Sequence, residues 1–95
     1  MVSFAFKQDV PFEQQKLSTE ALSAIVQVLN GFQSRQFFYN EEAKRWFDFI
    51  TWDSLQDATA ASEQIMANPE ALNIFALMDE ESLEMGHYKK LGGVV

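Results

Sequence analysis

Residues 32–52 have the sequence F-Q-S-R-Q-F-F-Y-N-E-E-A-K-R-W-F-D-F-I-T-W, which carries the strongest structural signal in this chain. Its two halves are rich in aromatic residues, which favour strands, and the short polar loop 40–43 separates them. The pattern predicts a β-hairpin. Large apolar residues stand at both odd and even positions of the two strands, so both faces of the hairpin should need cover from water.

A strand and a helix are predicted before the hairpin. Residues 2–7 alternate large apolar side chains with small or polar ones, which is the two-residue period of a strand. Residues 12–30 repeat apolar side chains at intervals of three and four, which is the period of a helix. Gly31 follows this stretch, at the place where a left-handed residue is expected to end the helix.

A second helix and a last strand are predicted after the hairpin. Asp53 or Ser54 can cap a helix that runs to residue 67, and Pro69 opens a second, short helical turn. Residues 83–90 alternate again and are interpreted as the final strand. The main elements therefore follow the order strand, helix, strand, strand, helix, strand.

This order is the ferredoxin-like βαββαβ arrangement within the α+β class. Right-handed crossovers place both helices on one face of a four-stranded antiparallel sheet. Residues 1–91 are expected to form a single domain, and residues 92–95 a flexible C-terminal tail. The other face of the sheet needs cover, which a homodimer formed through the sheet faces would provide. The alternative is a monomer with an open aromatic face.

Composition limits the partners, the chemistry and the location. The formal net charge is −7, with 14 acidic residues against seven Lys and Arg, so nucleic acid and anionic membranes should be repelled. The 95 residues include no Cys and one His, so disulfides, thiolate nucleophiles and a transition-metal site are not expected. No cofactor is expected either, since no phosphate-binding glycine loop is present. No signal peptide or membrane span is visible, which favours a cytoplasmic location.

The chain resembles the dimeric α+β barrel proteins, a group that includes antibiotic-biosynthesis monooxygenase-like domains and stress-responsive barrel proteins. The resemblance covers roughly residues 2–91. Its motifs are Asn30-Gly31-Phe32 with Arg35, Trp46-Phe47-Asp48-Phe49, Trp52-Asp53-Ser54-Leu55, Asp57-Ala58 with Ala61, and Met85-Gly86-His87-Tyr88. It implies a homodimer whose two sheets close a barrel around an apolar cavity. Members range from cofactor-independent oxygenases to haem degraders, isomerases and proteins without known activity, so the fold does not decide the function.

The chain departs from the catalytic members of this family in two places. The helix over residues 54–67 has no His, whereas monooxygenase-like and haem-degrading members commonly carry one there. Residues 2–7 also lack the Asn that haem-degrading members use in their first strand. Haem degradation is therefore not expected.

A charge pair in the hairpin is the first candidate for chemistry. If the numbers of paired residues sum to 83, Arg35 lies opposite Asp48. Such a pair amid aromatic groups can orient a polar ligand inside a barrel, and the alternative is a structural ion pair across the strands. The aromatic candidates for ligand binding are Phe37, opposite Trp46, with Tyr39, opposite Lys44, and Trp52.

His87 is the only histidine and the second candidate for chemistry. Histidine is the side chain best suited to proton transfer near neutral pH. If the strand face of His87 looks into the barrel, we expect it to act as general acid or base while Arg35 steadies a developing anion. The alternative is a surface or structurally hydrogen-bonded histidine.

The sequence is compatible with three functions, of which only the first is enzymatic. The first is a barrel that binds a small, largely apolar molecule, with cofactor-independent monooxygenase or isomerase-type chemistry. The second is a non-catalytic binding or stress-related module with the same fold. The third is a barrel packed solid, which serves as a structural or interaction partner. A cavity of at least roughly 300 Å³ between the sheets would favour the first two.

Overall fold

A computed structural model describes residues 1–94 of the chain. The fold is α+β and combines a four-stranded antiparallel sheet with three α-helices. The elements in chain order are β1 (Val2–Phe4), α1 (Phe12–Val26), β2 (Phe32–Asn40), β3 (Arg45–Trp52), α2 (Leu55–Met66), α3 (Pro69–Phe75), a 3₁₀ turn (Glu80–Ser82) and β4 (Glu84–Met85). The sheet order is β2-β3-β1-β4, which is compatible with a ferredoxin-like fold.

Local sequence signals explain where the second and third helices begin. Ser54 caps α2, because its Oγ accepts the backbone N–H of Asp57 at 3.1 Å. Asn68 caps α3 in the same way by accepting the N–H of Glu70, and Pro69 takes the first position of that helix. The predicted cap of α2 and the predicted short helix after it are therefore confirmed.

Helix α1 ends earlier than predicted. Its last residue is Val26, and two turns follow in which the N–H of Leu29 bonds the carbonyl of Val26 and the N–H of Phe32 bonds that of Leu29. Gly31 then adopts a φ of 81°. Residues with a Cβ rarely adopt this conformation, so the glycine lets the chain turn into β2.

The hairpin forms, but its predicted register was wrong by two residues. The loop spans residues 41–44 because Lys44 has a φ of 53°, which suits a loop and not a strand. The Asn40 side chain supports this loop by accepting the N–H of Ala43 at 3.0 Å. A shift of two residues keeps each side chain on its predicted strand face. The observed pairs include Arg35–Ile50, Phe37–Asp48, Tyr39–Trp46 and Asn40–Arg45.

The final strand is much shorter than predicted. β4 contains only Glu84–Met85, and its pairing with β1 ends where Met1 and Gly86 exchange two backbone hydrogen bonds of 3.0 Å. Beyond this point the described chain forms no regular element. The predicted final strand therefore exists, but its predicted bounds, residues 83–90, were wrong, and His87 lies outside the sheet. Glycine offers no side chain to pack on a sheet and often marks a strand end.

The helices pack on one face of the sheet, which we call the covered face. Its side chains include Phe4, Phe37 and Trp46. The opposite face, which we call the open face, presents Phe38 and Phe47 to solvent. The buried core lies between the covered face and the helices and consists of Phe4, Phe6, Val10, Leu22, Trp46, Ala71 and Met78.

Candidate functional site

Arg35 and Asp48 form the only salt bridge among residues 1–94. The Arg35 Nη2 lies 2.6 Å from the Asp48 Oδ2, and Nε donates to both carboxylate oxygens at 3.0 and 3.1 Å. Because Arg35 pairs with Ile50, the two charged side chains meet diagonally across β2 and β3 instead of directly opposite each other. The predicted charge pair therefore exists in spite of the register error.

This ion pair lies beneath α1. The Arg35 Nη1 donates to the Thr19 carbonyl at 2.8 Å and to the Ser23 Oγ at 2.7 Å, and both residues belong to α1. The side chains of Arg35 and Asp48 are only 3% and 6% exposed. A buried charge pair needs such complete hydrogen bonding. The arrangement links the sheet to the helix and is not turned toward the open face.

Trp46 is the centre of an aromatic cluster on the covered face. Its ring is almost parallel to that of Phe12, and its centroid lies 4.8 Å from that of Tyr39. Its Nε1 donates to the Gln15 Oε1 of α1 at 3.1 Å. Phe37 packs against the same indole with ring centroids 6.4 Å apart. Three of the predicted ligand-binding residues are thus parts of the packed layer between the sheet and α1.

Trp52 and His87 lie apart from this cluster and from each other. Trp52 packs edge-to-face on Phe32 at the start of β2, with ring centroids 5.9 Å apart. His87 follows β4 and is exposed, and β1 and β3 separate β4 from β2. The structure therefore brings Arg35 and Asp48 together but does not place His87 in a common site with them.

Three phenylalanines on the open face are candidates that sequence reasoning missed. Phe38, Phe47 and Phe49 are 55%, 38% and 43% exposed. Phe38 and Phe47 are paired across the strands, with ring centroids 6.3 Å apart. The signal was present in the sequence, because Phe37-Phe38 and Trp46-Phe47 each place one aromatic on either face. Alternation alone does not say which face the helices cover.

Arg45 borders these phenylalanines on the open face. Its Nε and Nη2 donate to the Ser3 Oγ at 3.3 and 2.9 Å, and Nη2 also donates to the Ser82 carbonyl at 2.8 Å. No carboxylate among residues 1–94 lies within salt-bridge distance of Arg45. Together with Ser3, Phe38 and Phe47, Arg45 lines a shallow pocket of about 280 Å³, whose lining also includes the predicted ligand-binding residues Tyr39 and Trp46.

A second pocket lies between α1 and the junction of α2 and α3. Its volume is about 330 Å³, and Ile25, Val28 and Ile65 form its apolar wall. Gln64 and Glu70 are polar residues of its lining. None of the predicted site residues lines it, and it contains no cationic side chain.

The α-amino group of Met1 lies partly buried at the edge of the sheet, where β1 pairs with β4. Partial burial lowers the pKa of this amino group, and the nearby negative charge of Asp48 opposes part of the shift. The amino group donates to the Gly86 carbonyl at 3.0 Å. It is therefore more readily neutral than an exposed amine.

The described residues add no metal site to these two pockets. Among residues 1–94, no three or more His, Cys, Asp or Glu side chains are grouped so that they could hold a metal ion. No helix in this part of the chain has the length and apolar character needed to cross a membrane.

Comparisons with known proteins assign no family. No protein-family model matches the chain, and no curated protein matches it. The resemblance to the dimeric α+β barrel proteins therefore depends on the sequence motifs and on an α+β fold that is compatible with it.

Proposed function

We propose that this chain forms a homodimer whose open faces pack together and enclose a small, largely apolar molecule. The observation that carries the proposal is the exposure of Phe38, Phe47 and Phe49 on the open face. Large apolar side chains exposed side by side are typical of surfaces that bind a partner or an apolar ligand. The proposed role is binding without catalysis.

The size of the chain favours a partner. A domain of 95 residues buries a smaller share of its surface on folding than a larger domain does. Additional apolar burial contributes about 25 cal/mol per Å² of surface removed from water. In the dimeric α+β barrel proteins, which the chain resembles, two sheets meet face to face. The open face with its three phenylalanines supports the same arrangement here.

The positions of the predicted catalytic residues favour binding over monooxygenase or isomerase-type chemistry. A general acid or base must lie within hydrogen-bond reach of the reacting atom, directly or through one water. Arg35 and Asp48 are bonded to each other and Arg35 also to α1, whereas His87 is exposed beyond β4. Neither pocket is lined by any of these three residues.

Light scattering coupled to size exclusion tests the dimer. We expect the wild-type protein to elute with twice the single-chain mass of 10.9 kDa. Phe47→Asp buries a charge in the proposed interface and should give the single-chain mass. Leu17→Asp is the matched control, because Leu17 is an exposed apolar residue of α1, and it should leave the dimer intact.

Two results would contradict the dimer. One is a wild-type protein that elutes as a single chain at its highest soluble concentration. The other is a dimer that Leu17→Asp dissociates and Phe47→Asp leaves unchanged.

A neutral apolar dye tests the enclosed ligand. N-phenyl-1-naphthylamine fluoresces more strongly when it leaves water for an apolar site. We expect the wild-type protein and Leu17→Asp to raise its fluorescence and Phe47→Asp to lose this effect. A stable dimer that leaves the fluorescence unchanged would show that the two sheets pack solidly together, and it would overturn the binding role.

A further inference from the structure

Among residues 1–94, Arg45 has no carboxylate partner, although the chain is strongly acidic. The sequence contains 14 Asp and Glu against seven Lys and Arg. The acceptors of Arg45 are nevertheless the Ser3 hydroxyl and the Ser82 carbonyl, and both are neutral. The open face therefore carries a positive charge that no carboxylate of residues 1–94 pairs with at salt-bridge distance.

The neutral acceptors also orient the guanidinium group. Nε and Nη2 are held from β1 by Ser3 and from the 3₁₀ turn by Ser82, whereas Nη1 donates to no group among residues 1–94. The two N–H groups of Nη1 can therefore donate to a carboxylate, and the charge of the guanidinium strengthens such hydrogen bonds. A side chain that is already held in place loses less conformational entropy when a ligand binds.

The pocket beside Arg45 suits a small apolar body. Its volume of about 280 Å³ is close to the lower end of small-molecule sites. Phe38 and Phe47 form two of its walls, and aromatic rings pack well against aromatic or aliphatic groups. A polyanion is disfavoured as a ligand. A single arginine lines the pocket, and the net charge of the chain is −7, so several negative charges on a ligand would be repelled.

We propose that this pocket binds a small monocarboxylate with an aromatic or aliphatic body. The carboxylate accepts hydrogen bonds from Arg45, and the body packs against Phe38 and Phe47. This proposal rests on the proposed function in that it uses the same open face and names the chemical class of the molecule enclosed there. The pocket itself belongs to one chain.

Benzoate is the probe, and benzamide is its neutral analogue of nearly the same shape. In titrations followed by ¹H–¹⁵N NMR, benzoate should shift the Nε–Hε signal of Arg45 and the backbone amides of Phe38 and Phe47. We expect benzoate to bind about tenfold more tightly than benzamide, because its hydrogen bonds to the arginine are charge-assisted. Equal affinities for the two probes would overturn the proposal.

Arg45→Gln tests the role of the cation. It should weaken benzoate binding about tenfold and leave benzamide binding unchanged, since only benzoate carries a charge. Lys16→Gln is the matched control, because it removes an exposed positive charge from α1, and it should change neither affinity. If both variants weaken benzoate binding equally, the effect comes from the overall charge of the protein, and binding in this pocket is contradicted.

Phe38→Ala provides a test that leaves the Arg45 hydrogen bonds in place. Arg45→Gln removes links from β3 to β1 and to the 3₁₀ turn, so its fold must be checked by the dispersion of the NMR spectrum. Phe38 makes none of these bonds and is exposed. Its truncation should weaken benzoate and benzamide by similar factors. Unchanged affinity for both probes would overturn the placement of the body against Phe38.

Sedimentation equilibrium with and without benzoate separates this proposal from the dimer. A dimer whose Arg45 signal does not respond to benzoate overturns the ligand class and leaves the dimer standing. A single chain that binds benzoate through Arg45 supports the pocket and overturns the dimer. A third result is a dimer that does not bind benzoate and that the substitution Arg45→Gln dissociates. It would show that Arg45 pairs with a carboxylate of the second copy, which overturns the ligand proposal.

Discussion

The two faces of the β2–β3 hairpin carry similar side chains but meet different surroundings. Phe37 and Phe38 are adjacent in the chain and point to opposite faces, as do Trp46 and Phe47. Trp46 is 3% exposed beneath α1, whereas Phe47 is 38% exposed on the open face. Residue type therefore does not decide which face becomes core. The position of α1 decides it.

The two arginines of the hairpin repeat this contrast. Arg35 on the covered face is paired with Asp48 and bonded to α1. Arg45 on the open face is held by the neutral oxygens of Ser3 and Ser82. An unpaired charge costs most when it is fully buried, so the Arg35 side chain requires a carboxylate, whereas neutral oxygens suffice for Arg45, which is only partly buried. The second arginine can therefore serve a ligand.

Trp46→Ala should disrupt the packing on the covered face and cause the largest loss of stability. We expect the free energy of unfolding to fall by about 3–5 kcal/mol, because the truncation leaves a cavity beside Tyr39 and Phe12. Phe47→Ala, the matched change on the open face, should cost less than about 1 kcal/mol. Urea denaturation measures both losses of stability. All the proteins compared also carry Phe38→Asp, which we expect to prevent dimerisation. Similar losses on the two faces would contradict the division between them.

Asp48→Asn should destabilise the protein by about 3 kcal/mol, because it leaves the buried charge of Arg35 without its partner. Arg45→Gln on the open face removes hydrogen bonds but leaves no charge without its partner, so it should lower the free energy of unfolding by about 1 kcal/mol. Chemical denaturation compares the two variants.

A double variant provides the control for the buried pair. Arg35→Met with Asp48→Leu should recover most of the loss of Asp48→Asn, since no charge is then left buried. If Asp48→Asn and Arg45→Gln prove equally mild, the two arginines do not differ as the structure indicates.

Gly31→Ala, at the start of β2, should cost less stability than Trp46→Ala or Asp48→Asn. The glycine has a φ of 81°, and a Cβ there would lie 2.6 Å from the Cβ of Asp57. We expect a loss of about 1–2 kcal/mol from backbone strain and this clash. Gly92→Ala is the control, since nothing lies within 4 Å of its added Cβ. Equal melting temperatures of the two variants would show that β2 can start without the left-handed residue.

Elements with strong local signals were predicted well from the sequence. The hairpin, helix α1 and the cap of α2 at Ser54 depend on residues only a few positions apart, and all three are confirmed. The loop bounds were wrong because the left-handed residue is Lys44, and lysine carries no preference for that conformation. The last strand was predicted too long because the alternation beyond Gly86 has no neighbouring strand to pair with in the described chain.

The candidate site was predicted only in part. Arg35 and Asp48 were matched because they share a face in either register. Their position beneath α1, and that of Trp46 and Tyr39, follows from helix packing that no local pattern contains. The role of Arg45 was missed because its acceptors, one of which is Ser3, lie far away in the chain.

The β-hairpin, the places where helices begin and the presence of aromatic groups on both hairpin faces follow from the amino-acid sequence. These features depend on the periodicity of neighbouring residues, which folding does not alter. The register, the short β4 and the face that α1 covers follow from tertiary contacts. A shift of two residues leaves the alternation unchanged, and the docking of a helix depends on contacts between distant parts of the chain. For this reason the structure, and not the sequence, shows that Phe38, Arg45 and Phe47 share the open face.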